Sequence, residues 1–164
     1  MFDRASRALD LCTDHLADTA TAGTEIESFI VGYALTVVHA EFEKAVKNAI
    51  RERCRVVTDP HLRNFTSQAA DRLVRSIKIT ELSGILGYFD GACKSTFQDS
   101  LRQSKSASFY NNIETNRQAV AHDAVHNATM SEVTNWFAEA QTVIVRFREA
   151  LGLDTPAEQP APAA

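Results

Sequence analysis

"IVGYALTVVHAEFEKAVKNAI", residues 30–50, decides the fold. Apolar side chains recur through it at intervals of three and four, the spacing of one helix face. Glu41, Glu43, Lys44 and Lys47 interrupt it, and the chain has no run of about 18 or more apolar residues, so no membrane-spanning helix is expected. The pattern predicts one long helix over about residues 25–53. Its apolar stripe runs Ile26, Phe29, Ile30, Tyr33, Ala34, Val37, Val38, Phe42, Ala45, Val46, Ala49 and Ile50. Gly23 supplies a break ahead of it, and Thr24 with Glu27 reads as a capping box.

The rest of the chain follows the same grammar. Phe2, Ala5, Leu9, Cys12 and Leu16 mark a first amphipathic helix. Asp59-Pro60 supplies an N-cap with proline at the first helical position, and Leu62, Phe65, Ala69, Leu73 and Ile77 give a third helix. Residues 80–103 hold a shorter helix, "TELSGILGYF", and another carrying Phe97 and Leu101. Gly84, Gly87 and Gly91 weaken this region. A further helix runs from about Tyr110. Thr129 and Glu132 form a second capping box, opening a final helix with Met130, Val133, Trp136, Phe137, Ala140, Val143, Ile144, Phe147 and Leu151 on one face. No alternating strand pattern of useful length is present. The expected fold is all-α, an up-and-down bundle of about five to six helices. One domain spans 1–153, followed by a disordered Pro/Ala-rich tail over 154–164.

The 164 residues carry a net charge of -4, and 45% of them are hydrophobic. A protein that holds nucleic acid by bulk electrostatics is usually basic. Any such contact here must come from local patches such as "RERCR" (51–55), "DRLVRSIK" (71–78) or "KSTFQDSLRQSK" (94–105). The plain alternative is that these are solvated helix faces. The opening "MFDRASRALD" lacks a basic leader followed by an apolar block, so a cytoplasmic protein is expected. Three cysteines, Cys12, Cys54 and Cys93, without a C-x-x-C pair argue for reduced thiols.

The stretch "ETNRQAVAHDAVHNATMSEV", residues 114–133, places Arg117 five residues ahead of His122. On a continuous helix that spacing sets two side chains about 140° apart. The Thr129 cap, however, requires the chain to leave the helix between about 122 and 128. His122 then sits at or just past a helix end, free to turn toward the arginine or toward a second subunit. Ile113, Asn116, Arg117 and Val120 share a face, so Arg117 projects close to an apolar surface. A cation there needs a carboxylate, a backbone carbonyl or a bound phosphate. The bland reading pairs Arg117 with a carboxylate and leaves His122 against helix-end carbonyls.

"NRQAVAH" resembles the R-x(4–6)-H motif of the HEPN superfamily, and the T-x-x-E-V helix start after it fits the same layout. The long apolar helix resembles the second helix of the RiboL-PSP type of HEPN domain. The resemblance covers about residues 25–151. It implies a metal-independent endoribonuclease, of toxin or phage-defence type, with a composite site at a homodimer interface. Arg117 and His122 would be catalytic, with Asn116 and Gln118 in support. It also implies an RNA substrate whose 2′-hydroxyl attacks the phosphate, hence no DNA cleavage, and a cognate antitoxin or partner defence protein. Many active members carry Asn, Asp or His directly after the arginine, where this chain has Gln118. Toxins controlled by a nucleotidyltransferase often carry tyrosine two residues after the histidine, where this chain has Ala124. Some members place an acidic residue on the long helix near the motif. Glu41 or Glu43 could serve here, with Glu43 favoured, or both could be solvated. The superfamily also includes non-catalytic dimerisation and protein-interaction modules, the alternative function.

Other chemistry is thin. His122 and His126 are four apart but lack a third ligand, so no metal site is expected. No cofactor motif, G-x-S-x-G or Cys-His nucleophile pattern is present. His15, His39 and His61 show no partner pattern in the sequence. Trp136 and Phe137 belong to the core stripe.

Overall fold

In a computed structural model, residues 1–122 and 127–153 are described, the side chain of Asp71 aside. Seven helices form, and no strand occurs among the described residues. They are α1 (Asp3–Thr19), α2 (Glu25–Cys54), α3 (Pro60–Leu73), α4 (Ile79–Phe89), α5 (Gly91–Leu101), α6 (Lys105–Ala121) and α7 (Met130–Ala150). The all-α expectation holds. The helix number exceeds the expected five to six, and the glycine-weakened stretch holds the two helices read there. There the backbone turns fully extended at Asp90 (φ -165°, ψ 148°), whose carboxylate accepts from the Ala92 N–H and starts α5. The tail over 154–164 lies outside the described residues.

The long α2 is the axis of the bundle. It packs against α1, α3, α6 and α7. From Val31 to Ile50 its buried residues occupy most of the circumference, as befits a helix covered on several sides. The core joins distant parts of the chain through rings. Phe2 sits edge-on to Phe42 (5.3 Å between centroids) and to Phe137 (6.1 Å). Phe42 in turn stacks on Tyr110 (5.4 Å) and Phe137 (5.9 Å). Each such pair adds about 0.5–1.5 kcal/mol beyond the area it buries. Trp136 and Phe137 are buried in this core.

The caps explain the helix ends. The Asp59 carboxylate accepts from the backbone of His61 (2.8 Å) and Leu62 (3.1 Å), with Pro60 at the first position. Thr129 and Glu132 form the expected capping box of α7. The box expected at Thr24 and Glu27 does not form. The Thr24 hydroxyl donates back to the Thr21 carbonyl. Glu27 instead accepts from the Gly23 N–H (2.6 Å) and, 103 residues away, from the Met130 N–H (2.9 Å). That carboxylate satisfies an orphan donor of α7 as well as one ahead of α2. It ties the two helix starts together at one end of the bundle.

Two apolar stripes also need correction. Ile26, Phe29 and Tyr33 are exposed on the first turns of α2. Leu62, Phe65 and Leu73 are exposed on α3, which ends before the buried Ile77. The 3.6-residue period identifies a helix and a face, but it does not say whether a neighbour covers that face.

Candidate functional site at the end of α6

Tyr110 and Ile113 fix the rotation of α6. Both are fully buried, and the Tyr110 hydroxyl donates to the Ile77 carbonyl at 2.8 Å. Burial, and then the charge of nearby Glu114, push that hydroxyl well above the usual tyrosine range. With this face locked inward, Asn116, Arg117 and Gln118 are half-buried along the last turns. Helix α6 ends at Ala121, and His122 is its C-cap, with φ -107° and ψ 18°. The His122 N–H donates to the carbonyls of Gln118 and Ala119, both at 3.1 Å. Its imidazole is exposed.

The motif therefore lies at the helix end, as the downstream cap required. Neither Arg117 nor His122 forms an ion pair among the described residues, so Arg117 has no carboxylate partner there. The Asn116 amide donates to the Asn112 carbonyl one turn back (2.9 Å), so that hydrogen is committed to its own helix. His126 and Ala124 lie outside the described residues. Among the described residues no group of three His, Cys, Asp or Glu side chains clusters as a metal would need.

The acidic candidates on α2 separate. Glu43 pairs with Lys47 on its own helix. Glu41 is buried and lies 3.9 Å from Lys44, a distant pair on the same helix. The carboxylate that α6 buries is a different one, Glu114. It is 5% exposed, and its Oε1 lies 2.9 Å from His39 Nε2 on α2. Thus His39 does have a partner, contrary to the sequence expectation. The two residues are far apart in sequence, and only the packing of α6 on α2 joins them. Glu114 sits one turn ahead of Gln118 and three residues ahead of Arg117, so the sequence could have flagged it by helical spacing alone.

Helix α6 runs into the start of α7, and Glu27 ties that start to α2. The exposed Ile26, Phe29 and Tyr33 lie on the first turns of α2, beside that tie. Among the described residues no helix is long and apolar enough to cross a membrane. Burial raises the pKa of Cys12, which leaves its thiol protonated and inert.

No family model matches the chain, and neither curated proteins nor solved structures match it.

Proposed function

We propose that the protein is a metal-independent endoribonuclease of HEPN type that acts in the cytoplasm as a homodimer. One observation carries this reading: a half-buried arginine without a carboxylate partner among the described residues, followed at the helix C-cap by an exposed histidine. A half-buried guanidinium without such a partner has N–H donors to offer a phosphate. An exposed imidazole near neutral pH is a proton carrier. Cleavage by a 2′-hydroxyl needs a proton acceptor and a proton donor, and each chain offers one such histidine. Two chains meeting at this end of the bundle would supply His122 as base from one and as acid from the other. The two copies of Arg117 would hold the phosphate and its transition-state charge by forked hydrogen bonds. Products would be a 2′,3′-cyclic phosphate and a 5′-hydroxyl.

One further feature supports a second copy. Ile26, Phe29 and Tyr33 fall within one narrow face at intervals of three and four, and Phe29 is 71% exposed. Such an apolar face is of the kind that protein interfaces cover. The toxin or defence role follows the same resemblance.

The test is cleavage of a labelled RNA panel by purified protein. His122→Ala is expected to lower the rate about 10²–10⁴-fold, the usual loss of a general acid or base. Thermal stability should stay within about 0.5 kcal/mol of the wild type, because an exposed side chain gives up little packing. A wild type that leaves the whole panel intact, while binding a protein through the end of α6, would establish the non-catalytic interaction module instead. The net charge of -4 leans toward that alternative.

A further inference from the structure

We propose that the exposed face of α3, together with the basic turn after it, is a docking surface for single-stranded RNA. The surface stands on its own geometry, and the choice of RNA over DNA rests on the ribonuclease reading. Residues 51–78 carry seven Lys and Arg against three Asp and Glu, a net of +4 in a chain whose total is -4. An acidic chain that holds a polyanion must do so from a local basic segment of this kind.

Helix α3 turns one side toward α2, where Ala70 is buried, and leaves the opposite side open. At about 100° per residue, His61, Gln68 and Arg72 all fall within about 60° of Phe65 on that open side. All four are exposed, Phe65 to 68%. With Asn64 and Ala69 they line an open hollow of about 480 Å³. An aromatic ring set among an imidazole, amides and a guanidinium is the kind of platform on which unpaired bases stack. Arg72 can add a cation above a base or a fork to a phosphate. Asn64 accepts from the Gln68 amide at 3.2 Å. That bond uses neither the Asn64 amino group nor the Gln68 oxygen, so a base edge has a donor and an acceptor to meet.

The cations that follow lead toward the motif. Arg63 is committed elsewhere, donating to the Val57 and Thr58 carbonyls (2.8 and 3.3 Å). Arg72, Arg75 and Lys78 are exposed and form no ion pair among the described residues. They recur every three residues from the last turn of α3 onward. The Tyr110 hydrogen bond to the Ile77 carbonyl holds this turn against α6, and Lys78 shares a cleft with Asn111 and Gln118. Gln118 directly follows Arg117. A strand with one base on Phe65 can therefore run past Arg72, Arg75 and Lys78 to the arginine of the motif. A membrane is the poorer match, since His61, Gln68 and Arg72 interrupt the continuous apolar face that lipid binding requires.

The test titrates the full chain into a fluorescein-labelled 2′-O-methyl oligouridine, which lacks the attacking hydroxyl, and reads binding by anisotropy. Phe65→Ala should weaken binding about 5-fold or more, the low end of what one stacked base contributes, while melting like the wild type. Phe65→Trp should keep the affinity. Arg72→Ala should flatten the slope of log affinity against log salt by about 0.7, the share of one phosphate contact to a single strand. Tyr88→Ala removes another exposed ring, on α4 (75%), and should bind as the wild type does. With a cleavable RNA, Phe65→Ala should raise KM more than it lowers kcat. Unchanged binding by Phe65→Ala, an equal loss in Tyr88→Ala, duplex RNA held as tightly as the single strand, or capture by phosphatidylserine vesicles without oligouridine binding would each overturn the surface. Oligouridine binding that depends on Phe65, with no RNA cut by the wild type, would uphold the surface and refute the nuclease. RNA cut with a KM that Phe65→Ala does not move would keep the nuclease and overturn the surface.

Discussion

Glu27→Ala removes a single carboxylate that serves two chain segments. In the folded protein this side chain accepts from the Gly23 and Met130 N–H groups. Hydrogen bonds from backbone donors to a charged acceptor are each worth about 1.5–3 kcal/mol when desolvated. The Gly23 bond is exposed and the Met130 bond part-buried, so solvent screens both and each falls below that range, to about 0.5–1 kcal/mol. The expected loss is about 1.5 kcal/mol, comparable to removing a helix N-cap. For a chain of this size that lowers Tm by about 3–6 °C. The pH dependence gives a second reading. The Met130 N–H and then the Gly23 N–H pull the Glu27 pKa below its ordinary value, with burial opposing them. A depressed carboxylate pKa contributes stability that is present above the unfolded value of about 4.3 and fades as pH falls through the lower folded value. Melting followed by circular dichroism should therefore show the full gap between wild type and Glu27→Ala at pH 7, closing below about pH 4. Glu27→Gln, which keeps one acceptor oxygen, should fall between the two. A variant within 1 °C of the wild type at pH 7, or a gap untouched by acid, would refute the account of Glu27 as a tie between α2 and α7.

Three further outcomes are expected. Cleavage should survive EDTA, because in the proposed mechanism Arg117 and His122 from two chains would supply both the proton transfers and the phosphate charge. Loss with EDTA and recovery with zinc or manganese would end the metal-free mechanism. Sedimentation at micromolar concentration should show a dimer, and Phe29→Glu should shift it to the 18.1 kDa monomer and stop cleavage together; a wild type that sediments only as a monomer would count against the composite site. Tyr110→Phe leaves the Ile77 carbonyl without its buried donor, at a cost of about 1–2 kcal/mol read by denaturant midpoint; an unchanged midpoint would mean that the hydroxyl adds nothing to the docking of α4.

Local chemistry was legible in the sequence. Asp59-Pro60 and the Thr129–Glu132 pair act within three residues, and each marks a helix start where it was expected. The buried stripe of α7 was legible for the same reason, since one period over 21 residues leaves little freedom. The His122 position was legible because a cap downstream forces an end upstream. Long-range choices were not. Glu27 is near Thr24 in sequence but serves Met130, which no local rule could indicate. Ile26, Phe29 and Tyr33 obey the same period as the buried residues of α2, and only the absence of a neighbouring helix among the described residues leaves them exposed. His39 and Glu114 meet because α6 lies along α2, so their pairing had no sequence signature. The sequence reading looked for an acidic residue near Arg117 on α2, at Glu41 and Glu43; the packing also buries a carboxylate on α6 itself, Glu114.

The ring cluster around Phe42 bears on how the chain is made. Its members come from positions 2, 42, 110 and 137. Ribosomes add roughly 5–20 residues per second, so α1 waits on the order of ten seconds before Phe137 exists for Phe2 to meet. Throughout that interval Phe2, Leu9 and Leu16, all buried at the end, form an apolar ridge with at most α2 to cover it. Nascent chains of this protein are thus expected to recruit holdase chaperones early in synthesis. Codon changes that slow the ribosome between α2 and α7 should lower soluble yield without altering the finished molecule.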